Sequence, residues 1–382
     1  MTGVKNTRER KGPGLELRTA AYFQNLGYLV RRGVKLAIAA GSADVTDIDL
    51  LAVRFTVPLS EERLIVDCKD RKKPKPYERV LWTRGLASFA RADRAVVVVP
   101  RVPWQAREFG TQGNVEILEA REMYAGTADA DAIESAYGEA DPALDQLTLL
   151  RRQRVLQQDG NLAKELAKED LKLRQMLIVG HPLTNLNRII RTLSSVGKQI
   201  DQGTEEMRWL KRRTCYNAGV IAGVMLVRFA CETKWTPEGE WSDYARKKLT
   251  YGDVPPQKAR QLAKLALDTD FFEGLPSPEY TDEIVGAIGS LIAQPTLAAT
   301  VPQALDFRLF GQELVSEDTS DSSTGVTLGD SVKLSKQVLS ALSYAAEVSV
   351  NLWEVDTNDP GSTATVSENR TARGRNWPHR MI

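Results

Sequence analysis

Residues 96–99 are four valines in a row, preceded by Ala95 and stopped by Pro100. A strand with one face in water alternates apolar and polar side chains, because successive Cβ atoms point to opposite faces. A strand that is apolar at every position belongs under cover on both faces, which places it at the centre of an α/β sandwich. The neighbouring segments fit that layout. Residues 14–26 carry Leu15, Thr19, Tyr22, Phe23 and Leu26 at helical spacing, closed by Gly27. Residues 28–36, 47–55 and 63–69 read as strands, separated by turn-rich segments at 41–46 and 58–62. Beyond the break at Pro74 and Pro76, a helix is predicted over 77–91, then the valine strand, a short helix near 104–109 and a last strand over 115–118. The expected order is αβββαβ with a terminal αβ, an α/β sandwich filling residues 1–120.

At 382 residues the chain exceeds one comfortable core, so two domains are expected. From 119 to 145 the composition shifts to Ala, Asp and Glu, and a linker is placed at 121–140. An all-α domain is expected over 141–356, opening at Asp141-Pro142 as N-cap and first helical residue. Helices are predicted to 158 and over 162–179, 182–200, 204–231, 257–267, 281–293 and 334–353. A loop is expected at 316–323, and a polar basic tail at 357–382 containing Arg370, Arg373, Arg375, Trp377 and Arg380.

Several function classes are excluded on residue usage. Only His181 and His379 exist, so chemistry needing several histidines has little to work with. His181, before Pro182, reads as a helix-boundary residue. Three cysteines without a CxxC pair fit a reducing, cytoplasmic setting rather than a disulfide framework or zinc ribbon. The first residues have no apolar core of the secretory kind. The most apolar run, 219–227, is nine residues long and closed by Arg228, hence a buried core helix rather than a membrane span. No GxxxxGK[ST] segment is present to drive an ATP motor.

Charge is unevenly distributed. Residues 1–110 hold 21 of the 51 basic residues but 12 of the 50 acidic ones, while the remainder holds 30 against 38. The N-terminal part is therefore expected to meet a polyanion. The acidic helical part is expected to serve protein contacts, as a homo-oligomer or through a separate partner protein.

Strand periodicity places Asp47 and Asp49 on one face of the second strand, with Ile48 and Leu50 on the other. On the third strand Ile65, Asp67 and Lys69 share a face opposite Leu64, Val66 and Cys68. If the strands pair as a hairpin, Asp49, Asp67 and Lys69 converge at one end of the sheet. Two carboxylates with a main-chain carbonyl make a hard oxygen site suited to Mg²⁺. A neighbouring lysine steadies hydroxide or transition-state charge on a phosphate. Glu16 lies on the apolar stripe of the first helix, where a carboxylate is costly unless neutralised, and a metal would do so. Arg71, Lys72, Lys73 and Lys75 follow the strand directly and are candidate phosphate contacts, as is Arg84 on the next helix. Trp82 reads as a core residue and Cys68 as a core thiol facing away from the site.

Glu16 in the first helix, Asp49 in "TDIDLLA", then "VDCK", a helix and an all-apolar strand resemble the PD-(D/E)XK nuclease superfamily. The opening "GPGLELRTAAYFQNLGYLV" is similar to the start of Mrr-like restriction endonucleases and their resolvase-like relatives. The likeness covers residues 12–120, and the proline that names the motif is absent before the aspartate. It implies a restriction-endonuclease-like αβββαβ fold and a Mg²⁺-dependent endonuclease acting on DNA, with Mn²⁺ able to substitute. It matches Asp49 and Asp67 to the metal-binding acids, Lys69 to the catalytic lysine and Glu16 to the helix-borne acid, which joins the metal ligands. Asp47 remains the alternate ligand. The implied setting is a bacterial restriction or anti-phage defence system. The alternatives are a structure-specific repair or junction-resolving nuclease, and a non-catalytic DNA-binding subunit of nuclease fold.

Overall fold

The computed structural model describes residues 13–37, 44–70, 75–124, 146–255, 257–258, 261, 277–310 and 328–353. The basic positions 71–73, the linker beyond residue 124, the Asp141-Pro142 start, most of the helix expected at 257–267, the 316–323 loop and the 357–382 tail lie outside them.

Helix α1 (Pro13–Asn25) is followed by β1 (Leu29–Ala37), β2 (Asp44–Thr56), β3 (Ser60–Cys68), α2 (Pro76–Ala90), β4 (Arg94–Val99), α3 (Trp104–Gln112) and β5 (Glu116–Glu119). The strands form one sheet in the order β1-β2-β3-β4-β5. The first two junctions are antiparallel and the last two parallel. Short connections serve the antiparallel pairs. The parallel pairs need crossovers, which α2 and α3 supply. As expected from its lack of alternation, β4 lies inside the sheet, and Ala95 to Val99 are all buried.

One face of the sheet (Leu50, Ala52, Leu64, Val66, Cys68, Val96 and Val98) packs with Leu15, Ala20 and Phe23 of α1. The other face (Leu51, Val53, Ile65, Val97 and Val99) packs with Val80, Leu86 and Ala87 of α2, and that core runs on without a break into the helical region.

The helical part consists of α4 (Gln146–Gln158), α5 (Gly160–Met176), α6 (Pro182–Gly197), α7 (Glu205–Thr233), α8 (Glu238–Tyr251), α9 (Thr281–Ala293), α10 (Pro295–Ala298), α11 (Val301–Leu309) and α12 (Leu328–Ala346). His181 caps α6, its Nδ1 accepting from the Leu183 N–H at 3.2 Å, which bears out the helix-boundary reading. By length and composition α7 could cross a membrane, yet 94% of its apolar window is buried within the protein. It is the axis of the bundle. A Cβ added at Gly223 would come within 2.4 Å of the Leu305 Cδ1 methyl, so any larger residue there would force the Leu305 side chain to shift.

Polar anchors tie the helices to the sheet. Arg31 of β1 meets Asp306 of α11 at 2.7 Å, and Arg174 of α5 donates to the Arg32 carbonyl at 2.6 Å. Arg228 of α7 holds Glu61 of β3 at 2.6 Å, and Lys234 donates to the Leu59 carbonyl at 2.6 Å. Burial works against the Glu61 carboxylate, but Arg228 and Arg63 outweigh it and hold its pKa below the ordinary 4.5. A carboxyl whose folded pKa is lowered stabilises the fold above its unfolded pKa and loses that contribution as pH falls through the folded one. Unfolding stability is therefore expected to drop on acidification below about 4.5. Glu61→Gln should be less stable at neutral pH and show a shallower acid slope in denaturant titrations. Equal slopes for the two proteins would disprove this role.

Candidate active site

Pairing between β2 and β3 runs from Thr56↔Ser60 to Leu50↔Val66 and stops there. On the other side of β2, Gly33 lies between the pairs Arg32↔Leu50 and Val34↔Ile48 with φ 56°. A residue bearing Cβ rarely adopts that conformation, and the strand kinks. Simple alternation fails at the kink, correcting the expectation that Ile48 and Leu50 share a face. Ile48 packs in the core with Leu51 and Val53, whereas Leu50 packs under α1.

Asp49 sits where the strands part. Its Oδ2 accepts from the Cys68 backbone N–H at 2.8 Å, the group that would otherwise have continued the ladder. The same oxygen accepts from Lys69 Nζ at 2.8 Å. Lys69 Nζ also lies 2.9 Å from Asp67 Oδ1 and 3.2 Å from the Cys68 carbonyl oxygen. Asp49, Asp67 and Lys69 thus converge as the strand pattern anticipated, with one ammonium at the focus of three oxygens. Asp67 is 6% exposed, and burial pushes its pKa up, only partly offset by Lys69. Burial also opposes the Lys69 charge, but hydrogen bonds to Asp49 and Asp67 outweigh it and the pKa ends above 10.5. Lys69 is therefore a cation throughout the neutral range and cannot serve as a base there.

Glu16 stands close enough to Asp49 and Lys69 to feel both charges, but its own partner is Arg32 at 3.3 Å. Burial raises its pKa against the pull of Arg32. The cost of placing this carboxylate on the apolar stripe is met by an arginine already present. Asp47 is exposed and in register with Lys35, apart from the convergence. Lys75 is exposed and pairs with Glu78 at 2.8 Å, and Arg84 is exposed on α2. Trp82, expected in the core, is 48% exposed, because it falls beside the buried stripe of α2 rather than on it.

Two arginines escaped the sequence reading. Arg32 is the partner of Glu16, and Arg79 of α2 brings Nε to 3.2 Å from Asp67 Oδ2. Arg79 adjoins the inward stripe Pro76, Val80, Thr83 and Ala87, so helical periodicity carried the signal. The Arg79 contact is an ion pair without hydrogen-bond alignment, leaving Asp67 Oδ2 a buried oxygen with no hydrogen bond. Such an atom is costly unless a further partner is recruited.

That orphaned oxygen bears on whether the site suits a divalent cation. Among the described residues no three His, Cys, Asp or Glu side chains gather into a metal-holding group. Two carboxylates and a carbonyl do gather, and they are hard donors of the kind Mg²⁺ takes while keeping several waters. Lys69 Nζ shows that a cation can reach all three at once.

Cys68 faces α1, away from this focus, and burial pushes its thiol well above the ordinary range. Burial likewise lifts Cys215 and Cys231 to about 12. All three thiols are expected to stay unreactive toward a chromogenic disulfide reagent at pH 8 until the chain is denatured. Rapid native reaction of one thiol would contradict this.

Comparison of the chain with protein-family models, curated proteins and solved structures finds no match.

Proposed function

We propose that residues 13–124 form a PD-(D/E)XK-type nuclease unit that hydrolyses phosphodiester bonds of DNA with the help of Mg²⁺, or Mn²⁺ in its place. The observation that carries this reading is the convergence of Asp49 Oδ2, Asp67 Oδ1 and the Cys68 carbonyl on one cationic point, where β2 and β3 diverge. The sheet order and the placement of α1 and α2 agree with the fold that the resemblance implies.

Asp49, Asp67 and the Cys68 carbonyl would hold the ion. When bound, it supplies an activated water and charge neutralisation at the phosphate. Asp49 also fastens the Cys68 backbone, which keeps both donor strands in position when the ammonium moves. Arg79 holds Asp67 from the α2 side, and Arg32 keeps Glu16 in place beside the site. Lys69 contributes positive charge beside the developing phosphorane. The basic surplus of the first 110 residues draws the polyanion in. A role in bacterial restriction or anti-phage defence follows from the resemblance alone, as does the alternative of junction or repair cleavage, and the cytoplasmic setting follows from the cysteine usage.

A second reading has its own support. Lys69 and Arg79 neutralise Asp49 and Asp67 without any metal, as a structural ion-pair set of a non-catalytic DNA-binding subunit would. The deciding test incubates the purified chain with supercoiled, linear and single-stranded DNA in Mg²⁺, Mn²⁺ or EDTA. The nuclease reading expects cleavage with either metal and none in EDTA. Intact DNA under every metal condition, with the chain bound to it, assigns the protein to the second class.

A further inference from the structure

Beside the candidate active site, a cleft of about 960 Å³ runs along α2 between the sheet and the helical bundle. Its α2 wall presents Leu81, Trp82, Gly85 and Phe89, and residues 178–182 form the opposite wall. Leu81, Trp82 and Phe89 are 65%, 48% and 79% exposed, so three large apolar side chains stand uncovered on one helix stripe. Isolated exposed apolar residues are ordinary, but a contiguous set lining a concavity marks a binding surface. The volume is at the upper end of the roughly 300–1,000 Å³ typical of ligand sites.

The polar lining sets the chemistry of the occupant. Arg63, Arg91 and Arg228 line the cleft. Glu61 engages Arg63 and Arg228 together, at 2.8 and 2.6 Å. Among the described lining residues Glu232 is the one acid, so three guanidinium groups face Glu232 and, from outside the lining, Glu61. The positive charge is therefore in excess, and Arg91, exposed at the C-terminal end of α2, forms no ion pair among the described residues. The indole of Trp82 and the phenyl ring of Phe89, seven residues and so about 10 Å apart along one helix stripe, offer two successive surfaces for flat rings, while a guanidinium at the far end suits an anion.

We infer that this cleft binds a nucleotide, its base against the Trp82 or the Phe89 ring and its phosphate toward Arg91. The nucleotide comes either free or as part of a single-stranded stretch of nucleic acid. Base stacking on aromatic side chains combined with arginine contacts to the backbone is the physical basis of single-strand binding. This assignment goes beyond the cleavage reading and does not need it. The cleft also touches the site, because the Arg79 guanidinium lies 5.7 Å over the Trp82 ring and 3.2 Å from Asp67. An occupant that settles Trp82 thereby acts on the arginine that holds Asp67.

The test uses the full chain carrying Lys69→Ala, so that nothing is cut, in calorimetric titrations without metal. The probes are thymidine, thymidine 5′-phosphate, a five-residue oligothymidylate and a blunt duplex. Binding of the mononucleotide identifies a free-nucleotide site, and binding of the oligomer alone identifies a strand site. Either supports the assignment if Trp82→Ala weakens it about tenfold or more while Trp104→Ala, on α3, leaves it unchanged. Arg91→Ala, at a surface position that does not threaten folding, should reduce the preference for the phosphate over the nucleoside. No binding of the mononucleotide or oligomer at millimolar concentration overturns the inference. So does measurable binding of thymidine and its phosphate with equal affinity, or unchanged binding in Trp82→Ala. Failure of the cleavage reading would instead show as intact DNA with the wild-type chain and metal, independent of these titrations.

Discussion

Lys69→Ala is expected to reduce metal-dependent DNA cleavage by about two orders of magnitude or more while leaving metal binding intact. The ammonium is the cation shared by Asp49, Asp67 and the Cys68 carbonyl. Its removal leaves the oxygens in place with less positive charge to compete against an incoming ion. Asp67→Asn is the complementary change. It keeps the side-chain shape but removes one of the two charges that would hold Mg²⁺, so metal affinity and cleavage should fall together. The two variants are separated by Mg²⁺-dependent thermal stabilisation, which Lys69→Ala should retain and Asp67→Asn should lose. Glu16→Gln should have a milder effect, since Glu16 answers to Arg32 rather than to the focus. Wild-type cleavage by either Lys69→Ala or Asp67→Asn would reduce the cluster to a structural ion-pair set and end its assignment as the active site.

Asp306→Ala should cost about 3–5 kcal/mol of stability, far more than an ordinary surface substitution. Arg31 is 1% exposed on β1, and Asp306 of α11 engages it through both carboxylate oxygens, at 2.7 and 3.4 Å. Removing the acid takes the bidentate carboxylate away from a buried guanidinium, which keeps its hydrogen bond to the Val30 carbonyl at 2.9 Å. The double change Arg31→Met with Asp306→Leu should recover most of the loss, because well-packed apolar residues replace a buried pair at little net cost. Guanidinium unfolding of the three proteins measures both effects. A single variant within about 0.5 kcal/mol of wild type would show that the pair does not anchor the helices.

How much of this was legible in the chain follows from the range of the interactions involved. The valine strand declared its central position, because absence of alternation is a local signature of burial on two faces. The helix starting at Pro182 and the convergence of Asp67 with Lys69 were likewise visible in short windows of periodicity. Asp49 was found by its motif, but its setting was not. The kink at Gly33 breaks the two-residue period, so Ile48 and Leu50 part company at the very residue that matters. Arg79 and Trp82 were misjudged or missed, since the packing of α2 against the sheet and bundle decides which of its faces stays open.

The union of sheet and bundle was not legible at all. Chain length and the composition shift over 119–145 suggested two domains. Instead, one continuous apolar core joins β1, β3 and α2 to α5, α7 and α11, pinned by Arg31–Asp306 and Arg228–Glu61. Those partners lie 275 and 167 residues apart. The sequence by itself determined the strand and helix periods and the identity of the carboxylates and lysine, because these are properties of neighbours along the chain. Only the tertiary structure decided which charges neutralise which, and that a cleft opens beside α2, because both depend on surfaces that distant segments bring together.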